Sequence, residues 1–149
     1  MVPVRTALRS FVAGQDVDPK SVSSQPQIVA ILSALMSPMV ARIGRELASF
    51  EPAEAAARIA APVLVLQGGK DVQVDPAEDA ERLVAARRSA RKAVDYHVSP
   101  LADHVLKTEP RSLEEVRANI QLLTTAYNAP DRTLDDDLVE TLAQWIRAH

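Results

Sequence analysis

Ile59-Ala-Ala-Pro-Val-Leu-Val-Leu-Gln-Gly-Gly-Lys-Asp71-Val-Gln-Val74 is the stretch on which the fold turns. Its centre, Pro62 to Gln67, is a short continuous apolar run closed by Gly68-Gly69, the pattern of a strand buried on both faces. Asp75-Pro76-Ala77-Glu78 follows as a helix start, with Asp as N-cap, Pro at the first helical position and Glu at the third. Ala77, Ala80, Leu83 and Val84 would form the buried stripe of that helix. Val94, Tyr96 and Val98 alternate with polar residues, so Lys92 to Val98 reads as a second strand. Strand, helix and strand within residues 62–98 make a βαβ unit with parallel strands.

Towards the C-terminus, Pro100 to Lys107 reads as a strand-to-helix loop. Ser112-Leu-Glu-Glu115 is a capping box opening a helix expected to run toward Tyr127, and Asn128 to Thr133 is turn-like. Asp135 to Asp137 put negative charge at the start of a last helix, where the backbone dipole favours it. Leu138, Leu142, Trp145 and Ile146 give that helix an apolar face. Upstream of residue 50 the pattern is helical instead. A helix is expected over Val4 to Ala13, then a Pro- and Ser-rich connection from Asp16 to Pro26. Ile28, Ile31, Leu32, Leu35, Met36, Met39, Val40, Ile43 and Leu47 recur at spacings of three and four along one face. Pro38 splits that run into two short helices. The expected organisation is a helical region at 1–50 and an α/β segment at 51–149.

Composition excludes several chemistries. The 149 residues are globular in proportion, 47% hydrophobic and 25% charged, which argues against wholesale disorder. No cysteine is present, so there is no disulfide, thiol nucleophile or cysteine-ligated metal. The four glycines stand at 14, 44, 68 and 69, so no Gly-x-Ser-x-Gly elbow, P-loop or Gly-x-Gly-x-x-Gly turn can be written. A net charge of −3 and five aromatics give no support to a nucleic-acid surface. No apolar run approaches the ~20 residues of a membrane span, and a cytoplasmic location is the expectation.

Two loops are left as carriers of chemistry. Asp71 lies in the loop after the first strand and His104, in Ala102-Asp-His-Val-Leu-Lys107, in the loop after the second. Parallel strands bring both loops to the carboxyl edge of the sheet, where open α/β folds bind ligands. Neighbouring strands lie ~4.8 Å apart, so an Asp and a His on successive loops can meet. A carboxylate on an imidazole sets the tautomer with which histidine acts as a general base. His97 on a strand and His149 at the chain end do not combine with His104, so no metal site is expected.

Ile59 to Val74, followed by Ala-Asp-His104-Val-Leu-Lys, resembles the C-terminal part of an α/β-hydrolase. The resemblance implies Asp71 as the acid and His104 as the base of a catalytic triad. It also implies residues 1–50 as a cap and Asp137 to Ala148 as the final helix on the sheet. The fold implied is a partial α/β-hydrolase with few parallel strands. The nucleophile elbow and the earlier strands of that family have no counterpart here. Neither Ser99 nor Ser37 has the strained turn and amide donors that activate a serine. The activity implied is hydrolysis of a carboxylic ester or related acyl substrate, without a cofactor. The alternatives are a non-catalytic, oligomeric binding remnant and a fragment of a larger esterase. Two parallel strands alone leave an exposed edge, so a homo-oligomer, a dimer first, is expected.

Overall fold

The structure, a computed structural model, describes residues 3–119 and 127–149. It divides into two compact units, Met1–Glu51 and Pro52–His149. The first is all helical: α1 (Val4–Val12), α2 (Pro19–Val22), α3 (Pro26–Leu35) and α4 (Ala41–Ser49). Helix α1 stops where Gly14 takes φ +80°, and the Gln15 N–H reaches back to the Ser10 carbonyl at 3.0 Å. That left-handed closure is one that glycine adopts without steric cost. The connection expected from Asp16 to Pro26 contains one further helical turn, α2, because Asp18 caps Lys20 N–H at 3.0 Å and Pro19 occupies the first helical position.

Ala7, Val22 and Leu32 form the core of this unit, with Leu8, Val17, Ile28 and Met36 packed around them. The long apolar stripe does not stay on one face. The chain leaves helical geometry between Met36 and Val40, so α4 starts with a new rotation. Ile31, Ile43 and Leu47 stand exposed, and Met39 is 94% open. Met36 packs on the core, whereas Met39 faces solvent.

The second unit contains α5 (Pro52–Arg58), β1 (Val63–Gly68), α6 (Ala80–Ser89), β2 (Val94–Ser99), α7 (Leu113–Ala118) and α8 (Asp136–Ala148). Strands β1 and β2 pair in parallel and in step, from Val63 opposite Val94 to Gly68 opposite Ser99. Among the described residues the sheet has these two strands only. The protein is thus a mixed α/β structure with a parallel βαβ unit.

Asp75 does cap a turn, accepting from the N–H groups of Ala77 and Glu78 at 2.9 and 3.3 Å. Helix α6 nevertheless begins at Ala80. The Glu81 N–H bonds the Pro76 carbonyl five residues back, so the first turn is wider than α-helical. Ala80, Val84 and Arg87 form the buried stripe, and Ala77 is exposed. Arg87 is completely buried. It donates to the carbonyls of Ala56, Ile59, Ala61 and Ala93 at 2.7 to 3.1 Å and so ties α5 and the approaches to both strands together.

Alternate residues of β2 face α8. Asp95 accepts from Trp145 Nε1 at 2.8 Å, His97 meets Asp137 at 2.7 Å, and Ser99 donates to Asp135 at 2.7 Å. This order runs α8 antiparallel to β2. On the other face, burial and the charge of Glu81 on α6 both raise the pKa of Tyr96. The sheet is therefore covered by α6 and α8 on opposite faces. Coverage by α8 is incomplete: Leu138 is buried, whereas Val139, Leu142 and Ile146 remain exposed. The expected capping box is present in full, Ser112 and Glu115 each bonding the other's backbone N–H at the start of α7. The rest of the helix expected toward Tyr127 lies outside the described residues.

Candidate functional site

The site grows from the carboxyl ends of β1 and β2. Gly69 N–H donates to the Ser99 carbonyl at 2.7 Å and Lys70 N–H to that of Ala102 at 2.9 Å, lacing the two loops together. A Cβ at Gly68 would lie 2.6 Å from the Ala102 carbonyl oxygen and would also strike that of Asp103. One at Gly69 would lie 2.9 Å from Pro100 Cα. Neither glycine has a positive φ, so both are needed for close backbone approach.

This lacing brings Asp71 and His104 together. Oδ1 of Asp71 accepts from the N–H groups of Gln73 and Val74 at 2.8 and 3.0 Å, a carboxylate-closed turn. Oδ2 accepts from Gln67 Nε2 at 3.3 Å and lies 3.1 Å from His104 Nδ1. An ionised carboxylate has no proton to give, so Nδ1 donates in this bond, and in a neutral imidazole so bonded Nε2 keeps the lone pair. The Asp71 side chain is 6% exposed and that of His104 is 36% exposed. The acid is enclosed and the base is presented.

The histidine loop is held from beneath by Asp103, which is buried. Its Oδ1 accepts from the N–H groups of Val105 and Lys107, both at 3.0 Å, and its Oδ2 from Arg132 at 2.8 Å. Within this turn Leu106 has φ +60°, a conformation that costs a non-glycine residue ~1–2 kcal/mol. Arg132 also donates to the Thr108 carbonyl at 3.1 Å and stands 3.7 Å from Glu109. Glu109 is buried and doubly bonded by Arg111, at 2.8 Å on each oxygen. Chiefly through those Arg111 bonds its pKa is lowered to about 2. Lys70 Nζ reaches across to the carbonyls of Glu109 and Arg111, the latter at 2.6 Å.

Tyr127 closes one side, its ring centroid 6.3 Å from that of His104. Gln73 Nε2 donates to the Tyr127 hydroxyl and Lys107 Nζ to its carbonyl. Burial, then the charges of Asp103 and Asp71, raise the pKa of the phenol.

The Ser99 hydroxyl is buried and committed to Asp135. Ser37 lies in the turn between α3 and α4, in the other unit. Among the described residues no three His, Asp or Glu side chains gather as a metal site. Gln67, Asp103, Glu109 and Arg132 escaped sequence reading. Asp103 adjoins His104 and carried a positional hint, but its partner is 29 residues away and left no periodic trace. Compared with known proteins, the chain matches no family model, no curated protein and no solved structure.

Proposed function

We propose that the second unit carries the acid and base of an α/β-hydrolase-type site acting on carboxylic esters or related acyl substrates. One observation carries this reading: Asp71, enclosed and closed on its own turn, faces Nδ1 of a half-open His104 at 3.1 Å. Asp71 holds the imidazole in the tautomer whose Nε2 accepts a proton, and its charge stabilises the imidazolium that results. The nucleophile comes from another chain or from a serine elsewhere. Hydrolysis of a short acyl ester of p-nitrophenol by the wild type and by His104→Ala tests the assignment. The substitution is expected to lower the rate by ~10²–10⁴-fold, the usual contribution of a general base. An unchanged rate would remove His104 from the reaction.

A second reading draws on the commitment of Ser99: a non-catalytic protein that binds an acyl ligand at the same edge. Saturable ligand binding without turnover would favour it. Under either reading a second copy of the chain covers an open edge of the sheet, because among the described residues only β1 and β2 pair and each leaves its outer edge unpaired. Light scattering at micromolar concentration is expected to give the mass of a dimer, and a monodisperse monomer would refute this arrangement.

A further inference from the structure

The least expected residue near the pair is Gln67. It is the penultimate residue of β1, buried, at the end of an otherwise apolar strand. Its Nε2 donates to the Gly68 carbonyl at 3.1 Å and to Asp71 Oδ2 at 3.3 Å. Both acceptors lack a hydrogen, so it is the amide nitrogen that faces them. The two amide hydrogens thus divide between a carbonyl in the strand and the carboxylate oxygen that also serves His104.

The two oxygens of Asp71 have separate duties. Oδ1 is filled by backbone N–H groups and holds the turn, while Oδ2 receives the imidazole and one further donor, Gln67. An oxygen that accepts two hydrogen bonds offers less electron density to each. We infer that Gln67 is a positioning residue that acts through Asp71, sharing Oδ2 with His104 and so moderating the strength of the Nδ1–H···Oδ2 bond. Its functional meaning rests on reading Asp71 and His104 as acid and base, but the bond itself does not. Gln67 supplies a neutral donor in an enclosed place, where a charged one would compete with the imidazolium for the same carboxylate.

Gln67→Met keeps the length of the side chain and removes the donor. In long-range ¹⁵N–¹H spectra of the whole protein, at a pH above which the His104 resonances no longer change, the His104 Nδ1 resonance is expected to move downfield in this variant. The donor nitrogen is deshielded as its only acceptor is freed from competition. Asp71→Asn, which needs no change at Gln67, supplies the reciprocal reading: the Gln67 side-chain N–H resonance is expected to move upfield as a charged acceptor is lost. An amide that served only to fill space would leave both resonances in place. An unmoved or upfield-shifted Nδ1 in folded Gln67→Met, or an unmoved Gln67 amide in Asp71→Asn, overturns the inference. Neither readout requires turnover. A protein that hydrolyses nothing yet shows both shifts would retain Gln67 in this role and lose the hydrolase reading.

Discussion

The second unit holds two histidine–aspartate pairs of similar length, and they are built in opposite ways. His97 lies on β2 and meets Asp137 at 2.7 Å through Nε2. Asp137 is 51% exposed on the first turn of α8, and the His97 bond is the main reason its pKa is lowered. His104 lies on a loop and uses Nδ1, and its carboxylate is enclosed and accepts three further donors. The shorter contact is the less constrained one. His97 has its outer nitrogen occupied, so the pair fastens a helix to a strand. His104 has its inner nitrogen occupied and a side chain that is 36% exposed, the arrangement on which the proposed proton transfer rests. The nitrogen engaged and the enclosure of the carboxylate, not the distance, set the proposed acid–base pair apart from the fastening.

Breaking the support of one pair should leave the other intact. The largest effect is expected from Asp103→Ala, which removes the partner of Arg132 and the two caps that hold the Leu106 turn. A buried pair that loses one member costs about 3–5 kcal/mol, so the urea midpoint should fall sharply. His104 should lose its contact with Asp71 while His97 keeps Asp137, and imidazole NMR distinguishes the two. Acid should produce the next effect. The Glu109 pKa is depressed to about 2 in the folded protein, against an ordinary value of 4.5. Its contribution is complete above pH ~4.5 and is lost as the pH falls toward 2, worth on the order of 3 kcal/mol across that window. Urea titrations at stepped pH should show this loss, and Glu109→Gln should flatten it. The smallest effect is expected from Asp137→Asn. That pair is exposed, so its urea midpoint should stay within error of wild type.

The same contrast explains what could be read in advance. The strand from Pro62, the alternation at Val94, Tyr96 and Val98, and the capping box at Ser112 and Glu115 depend on neighbours a few positions away. Each was visible as a local pattern and each is present as a local structure. Asp71 and His104 were legible because parallel strands must deliver their following loops to one edge. The residues that support them were not. Arg87 lies within the basic run Arg82 to Lys92 and is the most deeply buried charge among the described residues of the unit, because the four carbonyls it binds come from two stretches of chain, 56–61 and Ala93. The stripe from Ile28 to Leu47 misled in the other direction, since a break at Met36 to Val40 discards the rotational phase on which periodicity depends.

By itself, then, the sequence determined the βαβ unit, the capping box at Ser112 and Glu115 and the two loops that meet at the carboxyl edge, because those follow from short-range geometry and from strand direction. It also determined that Gly68 and Gly69 end a strand. Only the tertiary structure decided why glycine is needed there, since the carbonyls of Ser99, Ala102 and Asp103 occupy the space of a side chain. Only the tertiary structure gave His97 its partner Asp137 and brought Gln67, Asp103 and Arg132 to the other pair. Those contacts join residues from distant parts of the chain, and the hydrogen bonds that fix them have no period for a sequence to display.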